Sequence, residues 1–222
     1  MIASADENIV SDLLAWVDEK TADAFRLAAR TVSLDHAATI YRQGDRAAHL
    51  YRIVAGAVQL TSVQLDGSEC LYALLVAGDC FGEGSLIDET PRLHTAQARG
   101  PVRLEVLSRS ELTRLRQSHP SLDEALIRLF SRHMRMANRF LSESRVTDLK
   151  TRVAHRLFAI AGRLASADGY IAVSQSELAL MLGISRQSIN QALARLRSEG
   201  LIATRYSQIR LIEPGALGAL EP

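Results

Sequence analysis

The chain has 222 residues, 47% of them apolar, with 26 Lys and Arg against 25 Asp and Glu. That is length for one large or two small domains with ordinary cores, and no run in the sequence approaches the ~20 apolar residues needed to span a bilayer. The opening MIASADENIVSDLLAWVDEK lacks the basic-then-apolar order of a signal peptide, so a cytoplasmic location is expected.

The cysteines, Cys70 and Cys80, are too few for a disulfide framework or a four-thiolate iron–sulfur cluster, and both read as small buried apolar residues. The formal net charge of +1 conceals a gradient. Residues 1–118 carry 12 Lys/Arg against 16 Asp/Glu, residues 119–147 carry 5 against 3, and residues 148–222 carry 9 against 6. The basic excess lies at the C-terminal end, where a polyanion would dock.

From about Ala38 to Leu107 short apolar runs of period two are separated by Gly, Asp and Pro, the pattern of half-buried strands. Val58 and Leu60 alternate with Gln59 and Thr61. Asp66-Gly67 stands between two such runs, a hairpin signal because both residues tolerate positive φ. Gly44, Gly56, Gly78, Gly82 and Gly100 punctuate the region at turn-like intervals, which predicts a small antiparallel barrel or jelly roll.

After Pro120 the segment SLDEALIRLFSRHMRMANRFLSESRVTDL reads as one long helix without Gly or Pro. Leu126, Phe130, His133, Ala137, Phe140 and Ser144 follow a 4-3-4-3-4 spacing, the seam one helix offers another, and predict a homodimer. A neighbouring stripe through Leu122, Leu129 and Met136 is the alternative face, one that packs on the barrel.

From Thr147 onward a helix around LKTRVAHRLFAIAGRLA precedes Asp168-Gly169 and a brief strand, YIAV. Ser174 and Glu177, three apart, form a capping box that starts a short helix ended by Gly183. Ser185 caps a second helix, in which Ile189, Leu193 and Leu196 fall on one buried face. Arg186, Gln187, Asn190 and Gln191 are left near its exposed N-terminal end. This is a helix-turn-helix in length, turn and polarity, and the concentration of base-reading side chains at one helix start points to double-stranded DNA. Gly200 closes the second helix, and LIATRYSQIRLIE supplies two β-rich runs with a polar turn from Arg205 to Gln208, a wing.

The expected fold is therefore α+β: a β-roll domain with an N-terminal helical lead over 1–118, a dimerisation helix over 119–147 and a winged helix-turn-helix over 148–222. That order resembles the catabolite activator and fumarate–nitrate regulator (CRP/FNR) family of bacterial transcription factors, from about residue 30 to 212. The resemblance rests on Gly44-Asp45, Tyr51, Ile53, Gly56 and Val58, on Gly78-Asp79 followed by Phe81-Gly82-Glu83, and on Arg92 with Thr95-Ala96 and Ala98. It implies a sequence-specific regulator acting as a homodimer on a palindromic site, with RNA polymerase as a further partner.

The resemblance also implies an effector pocket at Gly82, Glu83, Arg92, Leu93, Ala137 and Asn138. In family members that bind cyclic AMP the glutamate accepts from the ribose hydroxyl and the arginine pairs with the cyclic phosphate. A Ser or Thr directly after that arginine adds a hydroxyl to the phosphate, and a Thr-Ser pair on the long helix meets the adenine. Here Leu93 follows Arg92, His94 replaces a small residue, and Ala137 and Asn138 take the Thr-Ser positions. Three readings stand for this pocket: a cyclic nucleotide, another small anion held chiefly by Arg92, or a structural Glu83–Arg92 ion pair in a protein that needs no effector. An N-terminal cysteine cluster of the FNR type is missing, so no iron–sulfur cluster is expected, and a haem on Cys80 or His94 is the weaker idea.

On DNA, Arg186 matches the family's guanine-reading arginine, able to make the bidentate contact to O6 and N7. Gln187 replaces a glutamate and suits adenine N6 and N7, so the half-site is expected to differ from TGTGA at the base pair it touches. Asn190 and Gln191 are further candidates for base or backbone, and Ser174, Gln175, Ser176 and Arg205 for phosphates. Two other classes fit less of the chain. An enzyme has no nucleophile–base–orienter set to use, and a nucleotide-binding module working only through protein contacts leaves the helix-turn-helix unexplained.

Overall fold

The computed structural model describes residues 11–144, 148–166 and 168–218. The chain divides into two compact units, one spanning Val10–Met136 and the other built on Ala137–Pro222. The first ten residues of the opening segment, and Arg145 to Thr147 at the end of the sequence-predicted long helix, lie outside the described residues.

In the first unit a 3-10 turn, Leu13–Trp16, and helix α1, Glu19–Ala28, lead into the strands. These are β1 (Arg30–Leu34), β2 (Thr39–Tyr41), β3 (His49–Ala55), β4 (Ala57–Val63), β5 (Glu69–Val76) and β6 (Cys80–Phe81). A short helix α2, Glu83–Ile87, precedes β7 (Thr95–Ala98) and β8 (Val102–Ser108). They form two four-stranded antiparallel sheets, ordered β1-β8-β3-β6 and β2-β7-β4-β5.

The period-two pattern sets which side chains meet between the sheets. Tyr51, Ile53, Val102, Leu104 and Val106 from one sheet pack with Val58, Leu60, Ala73, Leu75, Ala96 and Ala98 from the other. Leu50 and Leu107 point to the opposite face of the first sheet, where Phe25, Leu112, Leu115, Leu122, Leu126 and Leu129 cover it. The jelly roll is thus a sandwich with a helical layer on one sheet.

The turn glycines read from the sequence all take positive φ. Gly56, between β3 and β4, shows why: a Cβ there would stand 2.3 Å from the Pro101 carbonyl oxygen. Gly78-Asp79 acts through its acid, since fully buried Asp79 accepts from the Ser11 and Val76 amides at 2.7 and 2.8 Å. Arg52 ties the lead to the barrel, bonding Asp12 at 2.8 Å and Glu105 at 3.0 Å. Cys80 is fully buried, which pushes its thiol above the ordinary range, and Cys70 is half-buried.

Helix α3, Arg109–Ser118, is followed by the 24-residue helix α4, Ser121–Ser144. The barrel takes Leu122, Ala125, Leu126 and Leu129 of α4 into its core. Leu126 therefore leaves the seam expected from the sequence, and His133 leaves it too, turned to Glu83. What remains on the surface is a different row: Ile127, Phe130, Met134 and Leu141 are 65%, 38%, 63% and 60% exposed. With half-buried Ala137 they recur at 3-4-3-4 intervals, a heptad stripe that keeps Phe130 and Ala137 of the expected row and has Ile127 and Met134 in place of Leu126 and His133. The side chains of Phe140 and Ser144 lie outside the described residues.

The second unit continues with α5 (Leu149–Leu164), β9 (Tyr170–Ile171), α6 (Gln175–Leu182), α7 (Arg186–Ser198), β10 (Ile202–Arg205), β11 (Gln208–Leu211) and α8 (Pro214–Gly218). β10, β11 and β9 form a small antiparallel sheet. Val153, Leu157, Ile171, Leu178, Leu182, Ile189, Leu193, Leu196, Ile202 and Ile209 supply its buried side chains. Among the described residues no helix is long and apolar enough to cross a membrane.

Candidate functional site

Arg92 is positioned before its side chain is considered. The turn at Gly44-Asp45 pairs with it twice through main chain, Gly44 N–H donating to the Arg92 carbonyl at 2.8 Å and Arg92 N–H to the Asp45 carbonyl at 2.9 Å. The guanidinium then runs inward and is only 4% exposed. Its Nη1 donates to the Gly82 carbonyl, its Nη2 to the His49 carbonyl at 2.6 Å, and its Cζ lies 4.3 Å from the centroid of the Tyr41 ring. A side chain at Gly82 would have its Cβ 2.7 Å from Nη1, so the left-handed glycine makes room for this arrangement. Burial pushes the Tyr41 phenol above its ordinary range; Arg92 pulls it down and Glu83 pushes it up.

Glu83, first residue of α2, is as buried as Arg92 but faces another partner. Its Oε1 meets His133 Nδ1 of α4 at 2.8 Å. An ionised carboxylate only accepts, so Nδ1 is the donor. Its Oε2 is buried and meets no donor, as is the Nε of Arg92 with no acceptor. Glu83 and Arg92 are thus each committed, but not to one another, which removes the expected Glu83–Arg92 ion pair as the account of why both are there.

Between them lies a cavity of about 220 Å³. Tyr41, Leu60, Tyr72, Leu75, Phe81 and Met136 give it a mostly apolar wall, and Gly82, Glu83, Arg92 and Leu93 lie on it with Phe130 and His133. Leu93 is 70% exposed. His94 stacks on Tyr72 with ring centroids 4.3 Å apart, and burial lowers its pKa. Ala137 and Asn138, one and two residues beyond Met136 on α4, are half-buried and exposed respectively.

In the second unit α6 begins with the expected capping box. Ser174 Oγ accepts from the Glu177 amide at 3.1 Å, and Glu177 accepts from the Ser174 amide at 2.7 Å. Gly183 ends the helix at φ 64°, and Ser185 caps α7 by accepting from the Ser188 amide at 3.1 Å. Ile189, Leu193 and Leu196 are buried, while Arg186, Gln187, Asn190 and Gln191 are all exposed. Gln175 is half-buried and Ser176 exposed at the start of α6.

Two comparisons with known proteins bear on these units. Residues 31–119 match the cyclic nucleotide-binding domain, and residues 151–220 match the Crp-like helix-turn-helix domain. The chain is also 31% identical over 169 residues to a CRP-like cAMP-activated global transcriptional regulator of Mycobacterium tuberculosis, covering 74% of this chain and 75% of that one. It belongs to the CRP-like family of transcription regulators. Transcriptional regulator LdrP of Thermus thermophilus is 31% identical over 183 residues, 81% of this chain and 90% of its own. FixK2 of Bradyrhizobium japonicum shares the fold, with a TM-score of 0.77 at 24% identity over 87% of this chain and 98% of that one.

In this CRP-like regulator the sequence-derived sites fall into three groups. Gly82, Glu83, Arg92 and Leu93 come together at one cavity. Arg186, Gln187, Asn190 and Gln191 share an exposed helix face. Arg205 is engaged on its own wing: it bonds Gln208, bonds Asp168 Oδ2 at 2.8 Å and lies 3.7 Å over the Tyr170 ring. That pairing and the Ser166 hydroxyl, the larger cause, lower the Asp168 pKa to about 2. The wing tip instead presents Tyr206, 96% exposed.

Sequence reasoning missed His133 as the partner of Glu83, and Tyr41 and Tyr72 as walls of the cavity. For His133 one signal existed, a polar residue within an apolar helical row. For the tyrosines there was none, because strand residues from separate hairpins meet only after the sheets pack.

Proposed function

We propose that this CRP-like regulator acts as a homodimer on a palindromic DNA site, with a small ligand in the β-roll cavity setting its activity. The observation that carries the DNA reading is the exposed face of α7. Arg186, Gln187, Asn190 and Gln191 stand clear of the core at a capped helix start, where a helix of this kind enters the major groove. Arg186 reads guanine, Gln187 reads adenine, and Asn190 and Gln191 add base or backbone contacts. Ser174, Gln175 and Ser176 at the start of α6 meet phosphate, and Arg205, braced by Asp168 and Tyr170, lends charge to the wing.

The heptad stripe of Ile127, Phe130, Met134, Ala137 and Leu141 supports α4 as the dimer seam. A two-fold dimer places its reading helices about one DNA turn, ~34 Å, apart and so demands inverted half-sites. Ligand control has a physical route: Phe130 lies both on the stripe and on the cavity wall, and His133 links α4 to Glu83. A ligand favouring one placement of those two side chains favours one seam geometry. RNA polymerase is the partner this mode of action implies, and turnover of a substrate is not part of it.

Selection of sites from a random duplex library by the purified protein tests the reading. The expected product is an inverted repeat whose half-site carries an A·T pair at the position Gln187 touches. Enrichment of single, unpaired half-sites would refute the dimeric reading, and TGTGA unchanged would refute the role of Gln187.

A further inference from the structure

The winged helix-turn-helix carries one charge that works against its own task, on the reading above that the wing lies on DNA. We propose that Asp168 is an affinity-limiting residue of that interface: its carboxylate shares Arg205 with the DNA backbone and holds down binding to all sequences alike.

Placement is the first observation. Arg205 ends β10, at one edge of the three-stranded sheet, and Tyr170 belongs to β9 at the other edge, with β11 between them. The guanidinium nevertheless lies 3.7 Å over the Tyr170 ring, and its Nη2 donates to Asp168 Oδ2 at 2.8 Å, so the side chain spans the sheet. Arg210 approaches the same ring at 5.2 Å. Two positive charges therefore flank Tyr170, and Asp168 cancels one of them.

The second observation is how the carboxylate is held. Its Oδ1 accepts from the Ser166 hydroxyl and, at 3.3 Å, from the Tyr170 amide, which leaves Oδ2 aimed at Arg205. The Ser166 hydroxyl, then Arg205, hold its pKa down at about 2, so it is an anion wherever duplex DNA is bound.

Exposure is the third. The side chains of Arg205 and Asp168 are 47% and 50% exposed, so the pair is open to a third ion. An exposed ion pair adds little to stability, and a phosphate can compete for its cation. Whether the phosphate displaces the carboxylate or takes other N–H groups of the same guanidinium, two anions then share one cation. They lie well inside the ~8 Å screening length of physiological salt. The cost falls on every duplex, because phosphate contacts carry no sequence information.

The test uses the full chain, its selected inverted repeat and a scrambled duplex of equal length, with binding read by fluorescence anisotropy from about 50 to 300 mM salt. Asp168→Asn keeps an oxygen for the Ser166 hydroxyl and the Tyr170 amide, so the turn persists. It should tighten both duplexes by the same factor, about 2- to 30-fold for a dimer at the lowest salt. The plot of log affinity against log salt should steepen by about 0.9 per protomer. Arg205→Ala, which strips the carboxylate of its cation, should weaken both duplexes. Glu199→Gln is the control: it also removes one negative charge and frees a cation, Lys150, paired with it at 3.0 Å, but it stands ~20 Å along α7 from Arg186. It should leave both affinities within about twofold.

Unchanged or weaker binding by Asp168→Asn makes the carboxylate at most a brace for Arg205 and overturns the proposal. So does a gain confined to the inverted repeat, a gain matched by Glu199→Gln, or unaltered affinity in Arg205→Ala. In each of these cases the wild-type chain still binds its inverted repeat and the DNA reading stands. If the wild-type chain binds neither duplex at the lowest salt, the DNA reading falls and the proposal with it.

Discussion

Met134→Glu tests the dimer seam at a position where the structure sets the size of the effect. Met134 is 63% exposed on α4, midway between Ile127 and Leu141 in the heptad row. Burying such a side chain completely is worth about 1.5–3 kcal/mol, so covering its exposed part contributes ~1–2 kcal/mol per copy. A two-fold seam contains the residue twice, which makes ~2–4 kcal/mol, or about 30- to 1000-fold in the dimer dissociation constant. Two glutamates facing one another add repulsion in the same direction. Sedimentation velocity across a concentration series reads the constant, and circular dichroism checks that α4 persists. Because Met134 is outside both clusters of buried core side chains, the folded protomer should survive the change. An unchanged self-association constant would place the seam elsewhere and refute this heptad stripe.

Gly56→Ala forces a Cβ to 2.3 Å from the Pro101 carbonyl oxygen at a φ of 87°, and should destabilise the β-roll by about 2–4 kcal/mol in denaturant titration. Retention of wild-type stability would mean that the β3–β4 turn can rearrange freely. Arg186→Ala should weaken binding to the selected operator while narrowing its advantage over a site changed at the guanine pair by about 1–3 kcal/mol, as competition binding would measure. A uniform loss across both sites would assign Arg186 to phosphate instead. Acid should destabilise the β-roll through His49 and His94, whose pKa values burial lowers in the fold. Both states are neutral above an unfolded pKa of about 6.5; below it the unfolded chain takes up protons first, so stability is lost as pH falls through that value. Thermal melts from pH 8 to 5 should show this decline, and a slope unaltered in His94→Phe would remove His94 as a contributor.

The residues that read correctly from the chain are those whose role is local. Gly78 and Gly82 announce turns because positive φ excludes most side chains, and Ser174 and Glu177 announce a helix start because their spacing alone closes two hydrogen bonds. Ile189, Leu193 and Leu196 announce the buried face of α7 because 3.6 residues make a turn. Gly82, Glu83, Arg92 and Leu93 were legible as positions that meet at one cavity, but not as a set of bonds. Glu83 and Arg92 suggest an ion pair on paper, whereas Glu83 turns to a histidine 50 residues away and Arg92 to carbonyls 10 and 43 residues away.

Helix α4 marks the same boundary from another side. Its sequence carries more apolar residues than one seam can use, so two rows of heptad spacing overlap, and periodicity cannot say which faces outward. The barrel decides by burying Leu122, Leu126 and Leu129, which leaves Ile127, Phe130 and Met134 exposed. Sequence by itself determined the elements, their order and the exposed polar face of α7, since turns, caps and helical periodicity depend on neighbours a few residues apart. Only the tertiary structure decided the partners of Glu83 and Arg92, the size of the cavity and which apolar row of α4 stays exposed. Those depend on which distant surfaces close on one another, and that is settled by packing.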